Sequence, residues 1–171
     1  MVKEFVKVDP KQLTENIFKI MDEEWFLITA GNSDGFNMMT ASWGGVGSLW
    51  HKMVTFTFVR PQRHTYQFME KGDFYTLSFF GEKCREELKL CGSRSGKQID
   101  KVKETGLTPA LTDNNAVYFQ EARLVIECKK MYAGPILESG FVVPEIPAEV
   151  YPTKDFHKMY IGEIVNVFTK E

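Results

Sequence analysis

Residues 37–66 read Asn37-Met38-Met39-Thr40-Ala41-Ser42-Trp43-Gly44-Gly45-Val46-Gly47-Ser48-Leu49-Trp50-His51-Lys52-Met53-Val54-Thr55-Phe56-Thr57-Phe58-Val59-Arg60-Pro61-Gln62-Arg63-His64-Thr65-Tyr66. From Met53 to Arg60 the side chains alternate, Val54, Phe56 and Phe58 against Thr55, Thr57 and Val59, which is the period of a β-strand. Pro61 stops that strand. The charge of the stretch is one-sided. No carboxylate lies between Asp34 and Glu70, yet His51, Lys52, Arg60, Arg63 and His64 all do, in a chain whose net charge is -2. Singly, each basic residue reads as a solvated strand end; together they read as a site. Hydroxyls, glycines and the indoles of Trp43 and Trp50 share the segment, and anion-binding groups beside flat apolar ones suit a phosphorylated aromatic ligand.

Arg60 to Thr65 lie where a strand hands over to a helix. Free backbone N–H groups and the helix dipole would there point at the same anion as the arginines. A single phosphate is satisfied by that arrangement. A nucleic acid calls for a longer basic track, and the remaining lysines are interspersed with acids.

Working outward, Val2 to Pro10 reads as a leading strand or arm, and Asp9-Pro10 as a helix start. Leu13, Ile17, Ile20 and Met21 recur at helical spacing, predicting one amphipathic helix over Lys11 to Met21 within an N-terminal arm of residues 1–24. Trp25 to Ala30 is a strand whose turn, Gly31 to Gly35, closes a hairpin into Asn37 to Ser42. Downstream come a short helix over Gln62 to Lys71 and a strand over Phe74 to Phe80. Cys84, Leu88 and Cys91 share one face of a helix that Gly92 ends, and Gln98 to Glu104 is a short charged helix. Strands follow at Val117 to Phe119, Ala122 to Met131 and Lys158 to Phe168. Ala133 to His157 holds four of the seven prolines and reads as an extended loop, a lid, or a contact with a second subunit. Six or seven strands with short helices between them predict a mainly β, antiparallel barrel with helical insertions.

At 171 residues the chain suits one domain spanning 1–171, and 43% apolar with 26% charged residues is ordinary for a soluble protein. No run is long enough for a membrane span, and no signal-peptide block opens the chain. Three cysteines without Cys-x-x-Cys spacing predict a reducing, cytoplasmic setting. Gly44 to Gly47 lacks the dinucleotide-binding spacing. Gly92-Ser93-Arg94-Ser95-Gly96-Lys97 has its glycines one residue too close for a phosphate loop, with Gln98 where Ser or Thr should bind magnesium. The three histidines are too scattered for a metal set, so none is expected.

Several elements together resemble the flavin reductase-like proteins, the FMN-binding split barrels, and among them the flavoredoxin-type branch. They are Asn37 to Trp43, Val59 to Tyr66, Phe74 to Phe80, Ser95-Gly96-Lys97-Gln98-Ile99-Asp100-Lys101, and Asp155-Phe156-His157 leading into Tyr160 to Ile164. The resemblance implies a six-stranded antiparallel split β-barrel with short flanking helices, a homodimer holding FMN at or near the subunit interface. It implies that Asn37, Met38, Met39, Thr40, Ala41, Ser42 and Trp43 run along the isoalloxazine ring. Arg60, Arg63, His64, Thr65 and Tyr66 would take the ribityl phosphate, and Ser78, Phe79 and Phe80 would wall the ring. Lys97 would come close as a flavin-tuning or nicotinamide-contacting group. Trp50 is counted among the cofactor-binding residues, although with His51 and Lys52 it suits a dimer contact equally.

The activity so implied is that of an NAD(P)H-dependent flavin oxidoreductase: hydride passes from NAD(P)H to FMN and electrons go onward. No protein nucleophile is required. A flavoredoxin-like carrier, with tightly bound FMN reduced by a redox partner protein, is the alternative. A binder of another phosphorylated aromatic, such as pyridoxal phosphate, or of heme stands behind both.

Overall fold

The computed structural model describes residues 4–170. Its strands are β1 (Phe5–Val8), β2 (Phe26–Asn32), β3 (Gly35–Ala41), β4 (Gly44–Leu49), β5 (Lys52–Val59), β6 (Phe74–Phe79), β7 (Pro109–Leu111), β8 (Val117–Phe119), β9 (Leu124–Pro135) and β10 (Lys158–Lys170). All pairings are antiparallel, in the order β3-β2-β6-β9-β10-β5-β4, with β1 added on β10 and β7 paired to β8 as a separate ribbon. The two ends of that path, β3 and β4, are consecutive in the chain and separated only by Ser42 and Trp43. The sheet therefore rolls back on itself. β3 binds β2, β4 binds β5, and the two count as one bent stave of a six-stave split barrel.

Strand alternation sorts the sheet into two apolar layers. Phe26, Ile28, Tyr75, Leu77, Phe79, Leu124 and Ile126 point into the barrel. Leu27, Phe80 and Val125 face outward, where helix α2 (Arg85–Ser93) and Phe119 of β8 cover them. β5 shows which face wins. Its threonines turn inward, because the fully buried Tyr75 hydroxyl needs partners: Thr55 Oγ1 lies 2.9 Å away and Thr57 Oγ1 3.4 Å away. Phe56 and Phe58 are left half-buried on the outside.

Several boundaries differ from the sequence reading. Lys11 to Met21 is not one helix: a 3₁₀ turn at Pro10–Gln12 is followed by extended chain and a π-turn at Lys19–Glu23. Asn16 caps the second turn, its Oδ1 accepting from the Lys19 N–H at 3.2 Å; Leu13 packs on the barrel core from the irregular chain before it and Ile17 from the start of the helical turn. The glycine-rich Gly44–Leu49 is a strand that alternation could not reveal. A Cβ on Gly44 would come 2.9 Å from the Phe56 carbonyl oxygen, so the glycine permits close pairing with β5. Helix α2 runs through Gly92 to Ser93; Gly92 serves the approach of the helix to Thr40, at 3.4 Å from an added Cβ. The charged helix is shorter, α3 (Lys101–Thr105), capped by Asp100 and stopped by Gly106 at φ 70°. Residues 133–157 are not a loop throughout: β9 continues to Pro135, and α4 (Glu145–Val150) is flanked by residues of an aromatic cluster, Phe141, Tyr151 and Phe156. Its ends are tied by Ile136 N–H donating to the His157 carbonyl at 2.9 Å.

Candidate functional site

The site is built along the open edge of β3. That strand ends the sheet path, so half of its backbone groups have no ladder partner. Met38 shows the direction. Its carbonyl accepts from Asn37 Nδ2 at 3.2 Å and from Lys101 Nζ at 2.8 Å, both outside the β2 ladder. Two residues on, the strand period turns the N–H and C=O of Thr40 the same way. Three contiguous clefts meet this edge. One lies between Arg63, His64, Thr65 and the 92–96 turn. A second is bounded by Thr40 to Trp43, Phe58 and His157; a third by Thr40 to Ser42, Trp25 and α2.

The first cleft is the cationic end. Helix α1 (Thr65–Lys71) begins beside it. Arg63 reaches the C-terminal carbonyls of α2, donating to Gly92 O at 2.8 Å and Cys91 O at 3.1 Å. Lys101, only 4% exposed, donates to Cys91 O and Met38 O, each at 2.8 Å. Neither cation has a carboxylate partner among the described residues. Burial, and then the Arg63 charge, lower the Lys101 pKa to about 8. Burial also lowers that of Arg63. An ammonium with two carbonyl acceptors keeps a third N–H to offer. His64 is held at its Nδ1 by Gln67 at 2.8 Å, and burial followed by the Lys97 and Lys101 charges lowers its pKa.

The turn after α2 closes this end. A Cβ on Gly96 would fall 2.0 Å from Asn37 Oδ1, so only glycine lets the turn lie so close to β3. Asn37 in turn holds the buried Thr65 hydroxyl at 2.7 Å.

Arg60 behaves differently. It pairs with Asp155, and its second amino group donates to Val150 O at 3.1 Å. Its charge is met within the protein, at the segment ahead of β10. That segment delivers His157, whose Nδ1 is 2.8 Å from the Tyr151 hydroxyl and whose ring lies 5.4 Å from Trp43. Burial, then the Arg60 charge, lowers its pKa to about 4, so the imidazole at this cleft is neutral near pH 7.

The edge thus gathers Asn37, Met39, Thr40, Ala41, Ser42, Trp43, Arg60, Arg63, His64 and Thr65. Other expected residues lie elsewhere. Met38 offers its backbone, its side chain being in the outer apolar layer. Phe79 fills the barrel, and Phe80 and Ser78 lie in the outward layer, with the Ser78 hydroxyl lacking a protein partner. Tyr66 packs on the barrel core. Lys97 is exposed and lines a groove on the far side of Asn37. Trp50 and His51 form a two-residue hairpin tip with φ 53° and 59°. Sequence reasoning missed Lys101, Trp25 and His157 as lining groups. Lys101 and His157 stood in quoted elements; Trp25 carried no signal, since its backbone conformation is not legible from residue type.

The flavin reductase-like domain model matches residues 20–171. This chain belongs to the flavin reductase-like family. Solved structures with the same architecture include an FMN-binding domain of a flavin reductase-like enzyme from Shewanella baltica OS155, with a TM-score of 0.72 and 12% identity over 99% of this chain and 79% of that one. Flavoredoxin of Desulfovibrio vulgaris (Miyazaki F) aligns with a TM-score of 0.67 and 24% identity over 86% of this chain and 69% of its own. Flavoredoxin from Methanosarcina acetivorans aligns at 0.68 and 16%, over 96% and 77%. A search of curated protein sequences gave no match. The family's split-barrel architecture is the one formed by β2–β6, β9 and β10 here.

Proposed function

We propose that residues 1–171 form one FMN-binding domain acting as a flavin oxidoreductase, with NAD(P)H as electron donor. The observation that carries the reading is the pair of cations, half-buried Arg63 and buried Lys101, whose partners among the described residues are carbonyls beside an open cleft. A doubly charged phosphate is the complement they lack. The Gly96 turn, which a side chain would block, gives that anion a close-fitting wall. Solved relatives described as FMN-binding and as flavoredoxins add support.

Bound FMN would supply hydride acceptance and onward electron transfer. In this reading Lys101 and Arg63 hold the phosphate, and the Thr40 edge offers backbone hydrogen bonds to the ring. Trp43 and neutral His157 shape the cleft beside it. The hydrogen bond between the Tyr151 hydroxyl and His157 Nδ1 fixes the orientation of the imidazole at this cleft and leaves Nε2 to face a second reactant. Half-exposed Phe56 and Phe58, with Trp43 50% exposed, suit coverage by a second copy of the chain. Free thiols at Cys84, Cys91 and Cys128 suit a reducing cytoplasm.

The test is a visible spectrum of the purified protein, a titration with FMN and riboflavin, and steady-state oxidation of NADH and NADPH. Flavin absorption, preference for FMN and turnover are expected. A protein that ignores added FMN, or shows a heme band, overturns the assignment. Stoichiometric flavin with negligible nicotinamide oxidation replaces the enzyme by an electron carrier reduced by a partner protein.

A further inference from the structure

The segment between β9 and β10 uses its apolar residues in two ways. Half-buried Phe141 packs at 6.1 Å on Tyr151 and at 5.9 Å on Phe156, and those two rings lie 4.7 Å apart. Around Phe141 the chain turns twice, Gly140 N–H donating to Leu137 O at 3.0 Å and Ile146 N–H to Val143 O at 3.3 Å. These turns leave Leu137, Val142, Val143 and Ile146 exposed, Val142 at 95%. Single exposed apolar side chains are ordinary on a protein surface. Four within ten residues, beside an aromatic cluster that buries none of them, mark a contact surface.

Charge narrows the choice of occupant. Glu138, Glu145 and Glu149 stand among these side chains, and of the three only Glu138 has an ion-pair partner among the described residues, Lys154 at 3.1 Å. An acidic rim repels an anionic lipid surface and draws in a basic one. Four side chains amount to far less than the roughly 2,000 Å² at which obligate dimer interfaces begin, and suit the small, short-lived encounters of redox proteins. The cluster beneath also leads back to the candidate site. Tyr151 lies 5.5 Å from His157 by ring centroid, and His157 lines the cleft with Trp43 and Arg63. A molecule seated on Val142 is therefore two ring-to-ring steps, Phe141 to Tyr151 to His157, from the wall of that cleft. Electron tunnelling favours short paths of packed atoms.

We propose that the surface of Leu137, Val142, Val143 and Ile146, rimmed by Glu145 and Glu149, is the docking surface for a basic-faced, one-electron acceptor protein that reoxidises the flavin. This rests on the flavin reading above. The bound flavin, reduced by two electrons, returns to its oxidised form; two acceptor molecules in turn each gain one electron, and the two protons pass to solvent. The FMN-loaded protein is reduced with dithionite without air, freed of excess reductant, and mixed with oxidised cytochrome c, a heme protein with a lysine-ringed face, or with ferricyanide, which needs no docking. Leu137→Ser, Val142→Ser should slow cytochrome c reduction about tenfold, and Glu145→Gln, Glu149→Gln should do the same at low salt and flatten the salt dependence, while neither slows ferricyanide. An unchanged cytochrome c rate in either variant overturns the docking surface. Equal slowing with ferricyanide does so too, since it puts the damage in the flavin cleft, and so does a wild type that reduces ferricyanide but not cytochrome c. A second copy of the chain is the other candidate occupant: a dimer that Leu137→Ser, Val142→Ser splits in sedimentation overturns the proposal in favour of a self-interface. Wild type that takes up no FMN overturns the flavin reading instead, before any acceptor is added.

Discussion

Arg60 and Arg63 stand three positions apart in one turn yet meet different fates. Arg60 is matched by Asp155, with Gln62 and Thr153 crowding the same carboxylate; its charge holds the 150–157 segment against β5. Among the described residues Arg63 finds only the carbonyls of Cys91 and Gly92, and the Lys101 ammonium beside it finds only carbonyls too. A cation met by an acid inside the fold is a fastener. Buried cations met only by dipoles leave an electrostatic deficit that an external anion can fill.

Lys101→Met should break the contrast most strongly, weakening FMN by about 2–3 kcal/mol while riboflavin is almost unaffected, as read by paired titrations. Equal losses for both flavins would place the phosphate elsewhere. Arg63→Ala comes next. Because its fork also joins α2 to the β5–α1 turn, both flavins should weaken and the melting temperature should fall, at about 1–2 kcal/mol for the lost hydrogen bonds. A fall for FMN alone would make Arg63 a pure phosphate ligand.

The pH dependence sharpens the same point with a smaller effect. FMN affinity should be greatest between about pH 7, where the phosphate is doubly charged, and pH 8, and decline above that as Lys101, lowered to about 8 in the free protein, loses its proton. Stability moves the other way. Between about 8 and the unfolded value of 10.5 the unfolded chain holds the extra proton, so the Lys101 contribution to stability rises with pH there and is lost as pH falls. The flavin-free protein should show this as a melting-temperature trend absent from Lys101→Met. Arg60→Met should have the smallest effect, under about 1 kcal/mol on FMN, with faster proteolysis of the 136–157 segment as the visible consequence.

Much of the fold was legible because period and punctuation agreed. The alternation of β5 and β6, the Pro61 stop and the Gly31 to Gly35 turn all match the elements formed. Where one signal served two purposes, the reading slipped. Glycines at 44, 45 and 47 conceal a strand, although only at Gly44 would a Cβ crowd the partner strand, and Leu13 to Met21 has helical spacing of which only the part from Ile17 onward is helical. At the site, residue type revealed that cations cluster but not which of them meet an acid. That depends on Asp155, a residue 95 positions from Arg60. Lys101 shows the converse: a lysine opening a charged helix reads as solvated, yet Gly96 and Asn37 bring β3 over it.

The open edge of β3 has one more consequence. An unpaired strand edge invites another chain to extend the sheet, the first step of aggregation. Lys101 meets that hazard at the middle of the edge. By capping the Met38 carbonyl with an ammonium, it removes an acceptor from any incoming strand and puts a charge in its path. The lysine assigned here to a phosphate would therefore also keep the sheet from growing beyond its own molecule.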